Sequence, residues 1–158
     1  MMKRTLLAVV PLLVTAGSGC ALSPPFRSGG PAMSHEGIQV AVTGQRCDQV
    51  EEPDEYRDDL VETTLEVQVR NPTPAPLTVH REAFRLLGAE GTALRTQTWG
   101  AADPMTIAPG ASATFQLRFM WRGGVECGAE MLLDADAGLA LPAGPVKVAS
   151  VRFVPSRA

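Results

Sequence analysis

Between Val61 and Gly88 the chain carries short runs in which apolar and polar positions alternate with a period of two. Leu65, Val67 and Val69 interleave with Glu66, Gln68 and Arg70, the pattern of a strand with one dry and one wet face. Asn71-Pro72-Thr73-Pro74 stops it, because each proline lacks the N–H a ladder needs. Leu77-Thr78-Val79 predicts a second short strand and Phe84-Arg85-Leu86 a third. Upstream, Ile38 to Val42 alternates and predicts the first strand of the domain. Downstream, Ile107-Ala108-Pro109-Gly110 reads as a type II turn, with Pro at its second position and Gly after it. It opens the clearest strand of all. Phe115, Leu117, Phe119 and Trp121 share one face, and Thr114, Gln116, Arg118 and Met120 the other. Burying each large side chain stabilises by roughly 1.5–3 kcal/mol, so these four form the expected centre of the core.

The remaining pattern is weaker. Gly91 to Met105 holds Trp99 and has room for a short edge strand. Met131-Leu132-Leu133 predicts another strand. Val146, Val148, Val151 and Phe153 predict a last one, with a shift of alternation near Ala149-Ser150 of the kind a β-bulge produces. No segment has a convincing helical period. Thirteen prolines and fifteen glycines agree with many short strands separated by turns. The expected fold is an all-β, immunoglobulin-like antiparallel β-sandwich of about seven strands over residues 37–156.

The first twenty residues follow a different rule. Lys3 and Arg4 precede an apolar run from Leu6 to Ala16, and Gly17-Ser18-Gly19 then supplies small residues before Cys20. That is the three-part layout of an export signal, and the run is shorter than the roughly 20 residues a membrane span requires. Gly17-Ser18-Gly19-Cys20 resembles the lipobox of bacterial lipoproteins, with Gly17 where leucine is usual. The resemblance implies a signal peptide over 1–19, acylation of Cys20 and a membrane-anchored mature chain. Ala21 after the cysteine, in place of Asp, implies sorting to the outer membrane of a Gram-negative envelope. A plain secretory signal with an unmodified cysteine is the alternative. Residues 20–36, rich in Pro, Gly and Ser, read as a flexible tether.

Charge narrows the partners. The formal net charge is −3, and losing Lys3 and Arg4 with the leader leaves twelve basic against seventeen acidic side chains. An acidic chain lacks the electrostatic footprint for nucleic acid or for an anionic lipid surface. Eight carboxylates lie between Asp48 and Glu62, against Arg57 alone. They lack the spacing of an EF-hand loop, so a solvated loop is expected ahead of a calcium site.

Cys47 and Cys127 form an even pair in what reads as an exported protein, and a disulfide between two loops is expected. The inventory for catalysis is thin. His35 falls in the tether and His80 follows a strand, and no serine-elbow, HExxH, Walker or dinucleotide-binding glycine pattern occurs. A non-enzyme with no cofactor is expected. Two alternatives are a periplasmic copper carrier, using Met33, His35, Met105, Met120 and Met131, and a peptidase inhibitor. For the latter, Asn71-Pro72-Thr73 resembles the start of the loop motif in immunoglobulin-like inhibitors of papain-type proteases.

The order of the strand and turn signals, from the alternating strand before Asn71 through Ile107-Ala108-Pro109-Gly110 to Phe119, resembles that of extracytoplasmic bacterial immunoglobulin-like domains of unassigned function, a resemblance that covers roughly Gly37 to Pro155. That resemblance supports the fold and carries no catalytic residues; with the enzyme, copper and inhibitor readings set lower, a protein-interaction or structural module presented at the membrane is expected. The expected contact residues are Trp99 and the wet face bearing Arg118, Met120 and Arg122, since an aromatic beside arginines suits a binding patch.

Overall fold

The computed structural model describes residues 26–50, 60–89, 93–94, 104–122 and 127–155; for 49, 50, 93, 94 and 122 only the backbone is described. Among these residues the chain forms β1 (Arg27–Ser28), β2 (Ala32–Met33), β3 (Gln39–Val50), β4 (Leu60–Arg70) and β5 (Leu77–Val79). One 3₁₀ turn, Arg81–Ala83, leads to β6 (Arg85–Gly88), β7 (Ala93–Leu94), β8 (Met105–Ile107) and β9 (Ser112–Arg122). β10 (Met131–Asp134), β11 (Leu139–Leu141), β12 (Gly144–Pro145) and β13 (Val151–Val154) complete the fold. It is all-β, and its strand pairs are antiparallel in a sandwich-like arrangement.

One layer is a sheet of order β2-β3-β4-β9. β4 and β9 pair along their full length, from Leu60 opposite Arg122 to Arg70 opposite Ser112. This register places Leu65, Val67 and Val69 beside Leu117, Phe115 and Ala113, and all but Ala113 are buried. The four large side chains predicted for the core centre, Phe115, Leu117, Phe119 and Trp121, all face inward. In β3 the register slips between Val42 and Gly44. The slip changes parity: Val40 and Val42 are buried before it and Cys47 after it.

The opposite layer is broken across its middle. Its two sheets have the orders β1-β13-β10-β6-β7 and β12-β11-β5-β8. The same four chain passes cross both in the same sequence, since β12 continues into β13, β11 follows β10, β5 continues into β6 and β8 follows β7. Three long strands and four broken passes make seven, the two-residue edge strands β1 and β2 come in addition, and the strand segments number thirteen among the described residues.

The break is a built crease. The His80 N–H donates to the Gly138 carbonyl at 2.8 Å, and the Val148 N–H to Asp136 Oδ1 at 2.8 Å. The Phe84 ring lies directly under Gly138, where a Cβ would come within 2.4 Å of it. Phe84 also meets Phe115 edge-on at 5.8 Å, joining the crease to the long sheet. The corner between β4 and β5 is fixed by Asn71, which is fully buried. Its amide NH₂ donates to the carbonyls of Ala75 and Ile107, and its Oδ1 accepts from the Thr73 N–H and hydroxyl. The predicted type II turn is present one residue later than expected, over Ala108–Ala111, with the Ala111 N–H donating to the Ala108 carbonyl and φ of +73° at Gly110.

Four expectations need correction. The tether assigned to residues 20–36 is part of the fold from residue 26 onward. Arg27 and Ser28 pair with Val154 and Phe153, Ala32 and Met33 pair with Val40 and Gln39, and Ser34 bridges Val148. Backbone pairing supplies the order that the Pro/Gly/Ser composition does not suggest, and the domain begins before residue 37. The first strand does not end at Val42 but runs to Val50, so Asp48 lies in a strand, as Glu62 does, and 51–59 lie outside the described residues. The last strand does not run from Val146; Val146 donates to Leu139 in one sheet, and β13 belongs to the other. The irregularity expected near Ala149-Ser150 is the point where the chain changes sheets. Finally, Cys47 and Cys127 are bonded, with Cα atoms 5.7 Å apart, but Cys47 sits buried within β3 rather than in a loop.

Candidate interaction face

The outward face of the β2-β3-β4-β9 sheet is a grid of polar side chains set by the register. Gln39, Arg70 and Ser112 form one row, and Ala41, Gln68 and Thr114 the next. Farther along come Glu66 with Gln116, then Arg46, Thr64 and Arg118, then Asp48, Glu62 and Met120. They face outward because the inward parity of β4 and β9 is taken by the core.

Pro31, Gln39, Ala41, Gln68, Arg70 and Ser112 line a cleft of about 490 Å³. Arg70 is exposed beside it and the glutamines offer both donors and acceptors, which suits a hydrogen-bonding partner. The other end of the face carries ion pairs. Arg118 Nη2 donates to Glu62 Oε2, and Arg46 Nε lies 2.7 Å from Asp48 Oδ2. The hydrogen bond from Arg118 to Glu62 holds the guanidinium above its ordinary pKa. The Thr43 hydroxyl donates to Glu66 Oε1 at 2.9 Å. Ion pairs at a protein surface add little to stability, because water and salt screen them.

Of the contact residues expected from sequence, Arg118 and Met120 lie on this face, both half-buried. Arg122 ends β9 with its side chain outside the described residues, and Trp99 and Cys20 also fall outside them. The alternation alone does not single out the glutamine and Arg70 cleft. Its signal is present as the polar half of β4, but the rows across three strands depend on a register that one strand cannot reveal.

The methionines of the copper reading do not gather. Met131 is buried in the core, Met120 is on the outward face of the other layer, and Met33 is 57% exposed at the sheet edge. His35 is exposed in the turn between β2 and β3. His80 Nδ1 lies 3.4 Å from Glu82 Oε1. Among the described residues no three His, Cys, Asp or Glu side chains converge as a metal site. Asn71 of the inhibitor reading is spent on its own corner, with Pro72 exposed beside it.

No protein-family model and no curated protein matches the chain. Several solved structures match the chain. The ycdA protein of Bacillus subtilis, named as a candidate lipoprotein, aligns with a TM-score of 0.52 at 18% identity, over 75% of this chain and 37% of its own. The yjhA protein of Bacillus subtilis aligns at 0.47 and 12% identity, over 70% and 81%. A structural-genomics target of the Northeast consortium aligns at 0.48 and 13% identity, over 77% and 86%. At these identities the likeness to ycdA concerns the fold alone. The chain shares an all-β, sandwich-like fold with ycdA.

Proposed function

We propose that this protein is an envelope lipoprotein, acylated at Cys20 and sorted to the outer membrane, whose sandwich is a non-catalytic module for binding another protein. The observation that carries this reading is the small-residue stretch Gly17-Ser18-Gly19 set between an apolar run and Cys20. The Cys47–Cys127 bridge supports an oxidising compartment, and the lipoprotein name of ycdA agrees with an anchored setting. The pass order supports an immunoglobulin-like domain: the first, second and fifth passes share one layer, and the seventh, sixth, third and fourth the other. The grid around Arg118, Met120 and the Arg70 cleft is the surface offered to the partner, with Trp99 and Arg122 as further contact residues.

The test is envelope crosslinking and pull-down with wild type, Cys20→Ala and Arg70→Glu. The reading expects Cys20→Ala in the soluble fraction, and Arg70→Glu at the membrane but with less partner recovered. Membrane retention of Cys20→Ala would contradict the anchor. Equal recovery by Arg70→Glu would contradict the face.

A further inference from the structure

We infer that the sandwich is held over the membrane by its disulfide-bonded end, with the Asn71 end pointing away. This rests on acylation at Cys20. Phe26 is partly buried against the core, Arg27 and Ser28 are paired with Val154 and Phe153, and the Gly29 N–H donates to Arg152. The leash of chain from Cys20 to Phe26 is therefore all that separates the lipid from the described fold. Six residue steps span at most about 20 Å. A free tether from 20 to 36 would reach roughly 55 Å and leave the body unoriented.

The register says which end this short leash holds. Phe153, opposite Ser28, also pairs with Met131 at the start of β10, just beyond Cys127. Cys127 is bonded to Cys47, which pairs with Thr63. Phe26, Cys127 and Cys47 thus share one end. From Thr63 to Asn71 the chain advances eight residues, about 27 Å at ~3.4 Å each. At that far level lie the exposed turns at Pro72–Pro76, Ala108–Gly110 and Pro142–Ala143. A leash of about 20 Å fixed at Phe26 keeps the lipid nearer the disulfide-bonded end than that level. In the candidate face, the Arg118–Glu62 rows lie near the bilayer and the Arg70 cleft lies far from it, reachable by a partner from the aqueous side.

The test uses the mature chain with Cys20 coupled to a maleimide lipid, bound to phosphatidylethanolamine–phosphatidylglycerol vesicles carrying a headgroup acceptor dye. A fluorescent amino acid replaces Ala129 at the near end or Pro74 at the far end. Over a separation of about 30 Å, quenching is expected to be roughly twofold or more stronger at 129 than at 74. An insert of about twenty Gly/Ser residues after Ala21, adding a coil of ~25 Å reach, is expected to shrink that difference. Equal quenching at the two positions, stronger quenching at 74, or a difference untouched by the insert overturns the inference alone. An unacylated Cys20 in protein from native membranes overturns the anchoring reading, and the inference with it.

Discussion

β4 and β9 each run eleven residues and pair without a break, whereas in the opposite layer no strand among the described residues exceeds four. The two layers cover the same core by different means. In the long sheet, alternation and continuous ladder hydrogen bonds suffice, and each inward position needs only to be apolar. In the creased layer the ladders are interrupted, and closure depends on a few specific contacts: Phe84 under Gly138, Asp136 on the Val148 N–H, and His80 on Gly138. The long sheet should tolerate apolar exchange, and the crease should not.

The largest effect is expected where the layers are joined. Cys47→Ala with Cys127→Ala opens a covalent loop with a sequence separation of 80. In the chain-entropy model this costs about 4.5 kcal/mol, readable as a lower urea midpoint. A loss below about 1 kcal/mol would show that packing alone holds the layers together. Next is Gly138→Ala, whose methyl would lie 2.4 Å from the Phe84 ring. Overpacking of this kind costs roughly 1–3 kcal/mol, and the cost should fall in a Phe84→Leu background. An equal penalty in both backgrounds would mean that the ring is not what the glycine accommodates.

Thr63→Val tests the long sheet in the other direction. Thr63 is fully buried opposite Cys47 and Phe119, and its hydroxyl has no hydrogen-bond partner among the described residues. Removing that hydroxyl should raise stability by about 1 kcal/mol, and clear destabilisation would reveal a partner. The smallest effect concerns Glu36. A hydrogen bond from Ser34, then its own backbone N–H, holds its carboxyl below the usual range. A depressed folded value stabilises at neutral pH, and the contribution is lost as pH falls through that value. Side-chain NMR titration should find Glu36 low in wild type and near the ordinary value in Ser34→Ala. An unchanged value would rule out the hydroxyl as the cause.

The same contrast explains what can be read from the chain. β4 and β9 are legible in full because eleven residues give several periods. β1, β2 and β12 are two residues each, too short to show any period, and they lie among Pro and Gly that otherwise signal loops. The second half of β3 is hidden by the slip at Gly44, which moves inward positions from even to odd numbers. The break at Ala149-Ser150 is visible as a lost alternation, but that it marks a change of sheet depends on distant partners. Of the candidate face, Arg118 and Met120 follow from parity, whereas the Arg70 cleft needs the register of three strands.

The central claim is that a lipid on Cys20 anchors this sandwich, and mass spectrometry of the N-terminal peptide from membrane-extracted protein tests it most directly. The account predicts a mature chain beginning at Cys20 with acyl chains attached. A chain that retains its leader, begins elsewhere, or carries an unmodified Cys20 would contradict it.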